Sequence, residues 1–154
     1  MADRHGGQVT DQRPSRRERR HESRAAQTWT SFLADLREET GLDAETAGNV
    51  ATSVLLRLEQ RLTGGEVKDL EAQLPIKLRE LLADAGADRD SVFKFHREHF
   101  VDCVAGDLGA SEPAAEALIR AVFETVRRRI SEGEADDVEA QLPSDLKPLW
   151  RATT

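Results

Sequence analysis

The chain has a single cysteine, Cys103, so no internal disulfide can form, and one lone thiol fits a reducing compartment. Its apolar runs are only a few residues long, far short of the roughly 20 needed to cross a bilayer. No positively charged start leads into an apolar stretch of the signal-peptide kind. The expectation is a cytoplasmic protein with no membrane partner. No segment alternates apolar and polar residues long enough to argue for a strand. Glycine-rich phosphate loops, nucleophile elbows and metalloprotease helices are missing too, so the sequence offers no catalytic residues and no cofactor motif. What is there is a chain of 154 residues, 38% hydrophobic, which is enough for one ordinary domain with a core of its own.

The net charge of −7 hides an asymmetry. Residues 1–27 hold seven arginines against four acids, which is +3, and leave −10 on residues 28–154. An acidic body repels phosphate backbones, so affinity for nucleic acid would have to come from the first segment alone. That segment has almost no large apolar residue and cannot bury enough surface to offset chain entropy. It is expected to be a disordered basic tail, with Glu22 to Gln27 able to extend the first helix backward. Within it, Arg16, Arg17, Arg19 and Arg20 could grip a polyanion. They lack interleaved aromatics for stacking on bases and an apolar face for membrane insertion, and a charge run of this kind is ordinarily a solvated tail.

From Trp29 onward the sequence repeats itself. Shifting it by 68 positions aligns residues 29–82 with residues 97–150 without a gap, with about 15 identities including Phe32/Phe100, Gly41/Gly109, Glu66/Glu134, Asp69/Asp137 and the pentapeptide EAQLP, at 71–75 and at 139–143. Residues 83–96 are the connector. Each unit reads as helices only. Trp29, Phe32, Leu33 and Leu36 form an amphipathic stripe ending at Gly41, and Phe100, Val101 and Val104 ending at Gly109 repeat it. Asp43 and Ser111 are placed to cap longer helices. Their apolar faces are Ala47, Val50, Ala51, Val54, Leu55, Leu58 and Leu62, and Ala115, Leu118, Ile119, Val122, Phe123, Val126 and Ile130. Gly64, Gly65 and Gly133 are expected to end those long helices. A short acidic helix then runs into each EAQLP, where Leu74-Pro75 and Leu142-Pro143 should end one helix and begin the next.

A unit of this form, with GGEVKDLEAQLP and EGEADDVEAQLP as its most specific stretches, resembles the domain of unknown function 2267 family over about residues 29–150. The resemblance implies an all-α fold built from two similar halves, and no established activity.

Three groups of residues invite a chemical reading. The acids Glu66, Asp69, Glu71, Glu134, Asp136, Asp137 and Glu139 lack the ligand spacing of a calcium-binding EF-hand and read as solvated or helix-capping groups. Gln73 and Gln141, flanked by Ala and Leu at a joint, are expected to be at least half buried. They would bond backbone groups orphaned where two helices meet, or else line a ligand groove between the halves. His96, His99 and Cys103 fall at i, i+3 and i+7, one face of a helix, and could bind zinc, but no fourth ligand has matching spacing and Cys103 could simply pack beside Phe100.

The expected architecture is therefore an all-α bundle of two tandem four-helix units around a shared core. The expected function is a non-enzymatic module, without cofactor, that binds a protein partner or self-associates. A nucleic-acid-associated protein acting through the arginine tail and a small-ligand or metal-binding bundle are the alternatives.

Overall fold

A computed structural model describes the backbone of residues 16–85 and 96–151, and side chains within these ranges from residue 28 onward. Among the described residues there are eight helices and no strand. They are α1 (Arg16–Thr40), α2 (Ala44–Glu59), α3 (Gly64–Ala72), α4 (Ile76–Asp84), α5 (Arg97–Leu108), α6 (Glu112–Arg127), α7 (Glu132–Gln141) and α8 (Lys147–Trp150). The long helices α2 and α6 begin and end 68 residues apart. So do the ends of α1 and α5.

Local chemistry sets these bounds. Gly41 and Gly109 both take the left-handed conformation (φ 73° and 62°), which costs glycine nothing and turns the chain after α1 and α5. Asp43 caps α2 by accepting from the N–H of Thr46 at 2.7 Å, and Ser111 caps α6 by accepting from Ala114 at 3.3 Å, with Pro113 in the first turn.

Four findings modify the sequence reading. First, α1 begins at Arg16, so the backward extension runs through the arginine cluster, whose Arg and Glu residues are good helix formers. Residues 1–15 of the expected tail, and residues 86–95 of the connector, lie outside the described residues. Second, the glycines do not end the long helices. Thr63 and Ser131 each accept a hydrogen bond from the N–H three residues on and so start α3 and α7, which places Gly64, Gly65 and Gly133 inside first turns. Third, α8 is only four residues long where α4 has nine, because Pro148 has no N–H to give and its ring clashes with the carbonyl of residue 144. Pro148 is tolerated only in the first turn of a new helix. Fourth, all seven residues expected on the buried face of α2 are buried, whereas Leu118 and Ile130 of the α6 set are half-exposed.

The packing interleaves the two halves. α1 packs on α2 and on α6, and α5 packs on α6 and on α2, while α2 and α6 also touch each other. One continuous core results, drawing Phe32, Leu36 and Leu58 from the first half and Phe100, Phe123 and Trp150 from the second. Phe123 stands edge-on to Trp150 (centroids 5.1 Å apart), and the Trp150 indole N–H donates to the Ala135 carbonyl at 3.0 Å, so its one polar atom is satisfied inside the core. On the other side of the core α3 meets α7.

Candidate functional site

The contact of α3 with α7 is built from the two EAQLP segments and the two helix starts that precede them. The Gln73 amide oxygen accepts from the backbone N–H of Ser131 at 2.7 Å. The Gln141 amide oxygen accepts from the backbone N–H of Thr63 at 2.9 Å, and its nitrogen donates to the Thr63 hydroxyl at 3.3 Å. Each amide thus serves a backbone group orphaned at a helix start, the structural role the sequence allowed, but in the opposite half rather than at its own joint. Gln73 is exposed and Gln141 half-buried, nearer the surface than their apolar neighbours led us to expect. Beside them Leu74, Pro75 and Leu142 are buried and Pro143 is half-buried; Pro75 sits at the cap position of α4.

This exchange determines where two carboxyl groups go. Thr63-x-x-Glu66 and Ser131-x-x-Glu134 have the spacing of a capping box, in which the third-position glutamate folds back onto the N–H of the cap residue. Gln141 and Gln73 already occupy those two N–H groups. Glu66 and Glu134 turn inward, and they are buried, only 8% and 6% exposed. The expectation of solvated acids holds for Asp69, Asp136 and Asp137, which are exposed, and fails for this pair. Burial, then the neighbouring Glu66 carboxyl, push Glu134 up to about 8, with the charges of Asp69 and Asp137 adding to the effect. One oxygen of each, Glu66 Oε1 and Glu134 Oε2, is buried without a hydrogen-bond partner. Carboxylate oxygens of Glu66, Asp69 and Glu134 lie within 4.8 Å of one another.

A second polar contact ties the halves. The Asp107 carboxylate at the end of α5 accepts from Nε and Nη2 of Arg57 on α2, at 2.9 and 2.8 Å, and from the Ser53 hydroxyl at 2.9 Å. The Arg57 hydrogen bonds hold Asp107 below the usual carboxylate range, and the carboxylate in turn raises Arg57. Arg129, just past the end of α6, likewise reaches back to Asp35 and Ser31 on α1, and Arg128 bonds Glu124 one turn away and Glu39 of α1. Arg128 thus combines an ordinary surface pair one turn away with a link between the halves.

Two of the three histidine and cysteine candidates come together. α5 starts at Arg97, leaving His96 in the extended conformation of a cap residue, its Nδ1 3.6 Å from Asp145. His99 Nε2 lies 3.4 Å from the Cys103 sulfur. The side chains of Arg16, Arg17, Arg19 and Arg20 lie outside the described residues.

An open groove of about 580 Å³ runs between the two halves, lined by Leu42, Leu56 and Leu81 from the first and Leu108 and Leu118 from the second. All five leucines are half-exposed. None of the described helices is long and apolar enough to cross a membrane.

The paired carboxyls, the arginine-carboxylate link and the groove all draw on residues far apart in the chain, so periodicity could not reveal them. The one local trace was the capping-box spacing of T-G-G-E and S-E-G-E. No curated protein matches the chain. The model of one family does, over residues 29–149, taking in both EAQLP segments and nearly all of the helical body, so the chain belongs to the family described as Uncharacterized conserved protein (DUF2267).

Proposed function

We propose that the protein is a non-enzymatic interaction module whose leucine-lined groove receives a basic amphipathic helix of a partner protein. The observation that carries this reading is the groove itself. Five half-exposed leucines from both halves form one apolar strip. Thr46, Asn49 and Thr52 supply a polar border to it. An apolar strip edged by polar groups is the form that takes a helix by its i, i+3, i+4 and i+7 anchors. The charge of −10 on residues 28–154 favours an occupant of positive sign and would speed its approach.

The test is a titration of the isotope-labelled full chain with two designed amphipathic helices that share one leucine face, one with lysines and one with glutamates on the polar face. The lysine helix should shift the amide signals of Leu56, Leu108 and Leu118 at low salt, and Leu56→Asp should abolish those shifts. Equal binding of both helices, or shifts that avoid the groove, would remove the reading. Concentration-dependent dimerisation abolished by Leu56→Asp would assign the groove to a second copy of the chain instead.

A further inference from the structure

The geometry points to a divalent-cation site between α3 and α7, formed by Glu66 and Asp69 of the first half and Glu134 of the second, and best suited to Ca²⁺.

Two separate observations carry it. The first is convergence: one oxygen from each of the three carboxylates lies within 4.8 Å of the others. Ca²⁺ takes several protein oxygens at roughly 2.3–2.6 Å in flexible geometry, whereas Mg²⁺ keeps most of its waters and is ordinarily held by only one or two carboxylates, so a set of three favours Ca²⁺. The second is that Glu66 and Glu134 are each more than nine-tenths buried, with Glu66 Oε1 and Glu134 Oε2 lacking any hydrogen-bond donor. A buried carboxylate oxygen without a donor is an acceptor awaiting a proton or a cation. The Glu66 side chain would ordinarily have served the Thr63 N–H, and that of Glu134 the Ser131 N–H. The glutamines of the opposite half displace them, and the two acids are left facing each other.

The donor set is all carboxylate oxygen, which matches a hard cation and no soft one. Asp69 is exposed and gives an entry path from solvent, while the charge of Asp137 also reaches the site. Waters would complete the coordination. The ligands come from i, i+3 on one helix and from a residue 68 positions later, which is why no contiguous calcium-loop pattern exists in the sequence.

The test uses the full-length protein treated with EDTA and returned to metal-free buffer near neutral pH. Calorimetric titration with CaCl₂ should give saturable 1:1 binding. The melting temperature should rise with Ca²⁺ more than with MgCl₂ or with KCl of equal ionic strength. Asp69→Asn, on the surface, should weaken binding by about tenfold, and Glu66→Gln should remove it while leaving the helical circular dichroism intact. Absence of saturable binding to the folded wild-type chain overturns the site. Glu66→Gln binding Ca²⁺ as tightly as wild type overturns it equally.

Discussion

Gln73 in the first half accepts a hydrogen bond from the backbone N–H of Ser131 in the second, at 2.7 Å, and Gln141 returns the contact to Thr63 at 2.9 Å. The amide therefore does for the other half's helix what a capping-box glutamate does for its own. Removing it strands one N–H at a helix start close to solvent. Gln73→Ala should lower unfolding stability by about 0.5–1.5 kcal/mol, the range of an ordinary hydrogen bond with water able to compensate in part. Gln73→Glu keeps an acceptor at the same place and should cost less than the alanine change. Urea denaturation of both variants checks the order.

The fold resists the charge of Glu134. Its folded pKa, about 8, stands above the ordinary value of 4.5, so the folded state holds a proton that the unfolded chain gives up. The contribution is fully favourable below the unfolded value and is lost as pH rises from about 5 through about 8. With EDTA present, the melting temperature should fall across that window. Glu134→Gln cannot ionise and should flatten the fall, giving a variant more stable than wild type at high pH. A wild-type profile that is flat between pH 5 and 8 would contradict this.

Asp107 has the opposite sign. Its carboxyl is held low by Arg57, so its contribution is present above the unfolded pKa near 3.8 and disappears as pH falls through the lower folded value. Asp107→Asn should cost about 1–2 kcal/mol at pH 7, since a two-pronged guanidinium contact at a partly buried site exceeds an exposed ion pair. The difference from wild type should shrink below pH 4, which parallel denaturant titrations at the two pH values would show.

Trp150 closes the core from the C-terminal side, 1% exposed and in edge contact with Phe123. Trp150→Ala leaves a large apolar cavity and should cost about 3–5 kcal/mol. Trp150→Phe keeps an aromatic ring there and loses mainly the indole donor to Ala135, so it should cost much less. Equilibrium unfolding distinguishes the two.

What the sequence made legible was local. Asp43, Ser111, Gly41 and Gly109 announce helix bounds through their own backbone preferences, and the apolar face of α2 follows from spacing alone. Gly64 and Gly65 were misread because glycine after a long helix signals a stop, and the competing cap at Thr63 decides the outcome. The partners of the glutamines could not be read, because Gln73 meets a residue 58 positions away and Gln141 one 78 positions away. Glu66 and Glu134 were misplaced for the same reason: acids in a first turn are ordinarily solvated, and only the long-range amide contacts turn these two inward. Of the groove leucines only Leu118 falls on a face the spacing reads as core; Leu42 lies in the turn before α2, and the strip arises where the two halves meet.

The exchange of amides across the middle of the molecule has a consequence for concentration. Each half gives the other a glutamine contact and receives one in return, much as in the isologous arrangement that oligomers reach with two separate subunits. A dimer held this way comes apart on dilution, because its stability depends on how often subunits meet. Here the second subunit is tethered by the chain itself. The contact between α3 and α7 is as complete in a single molecule at nanomolar concentration as in a crowded cell.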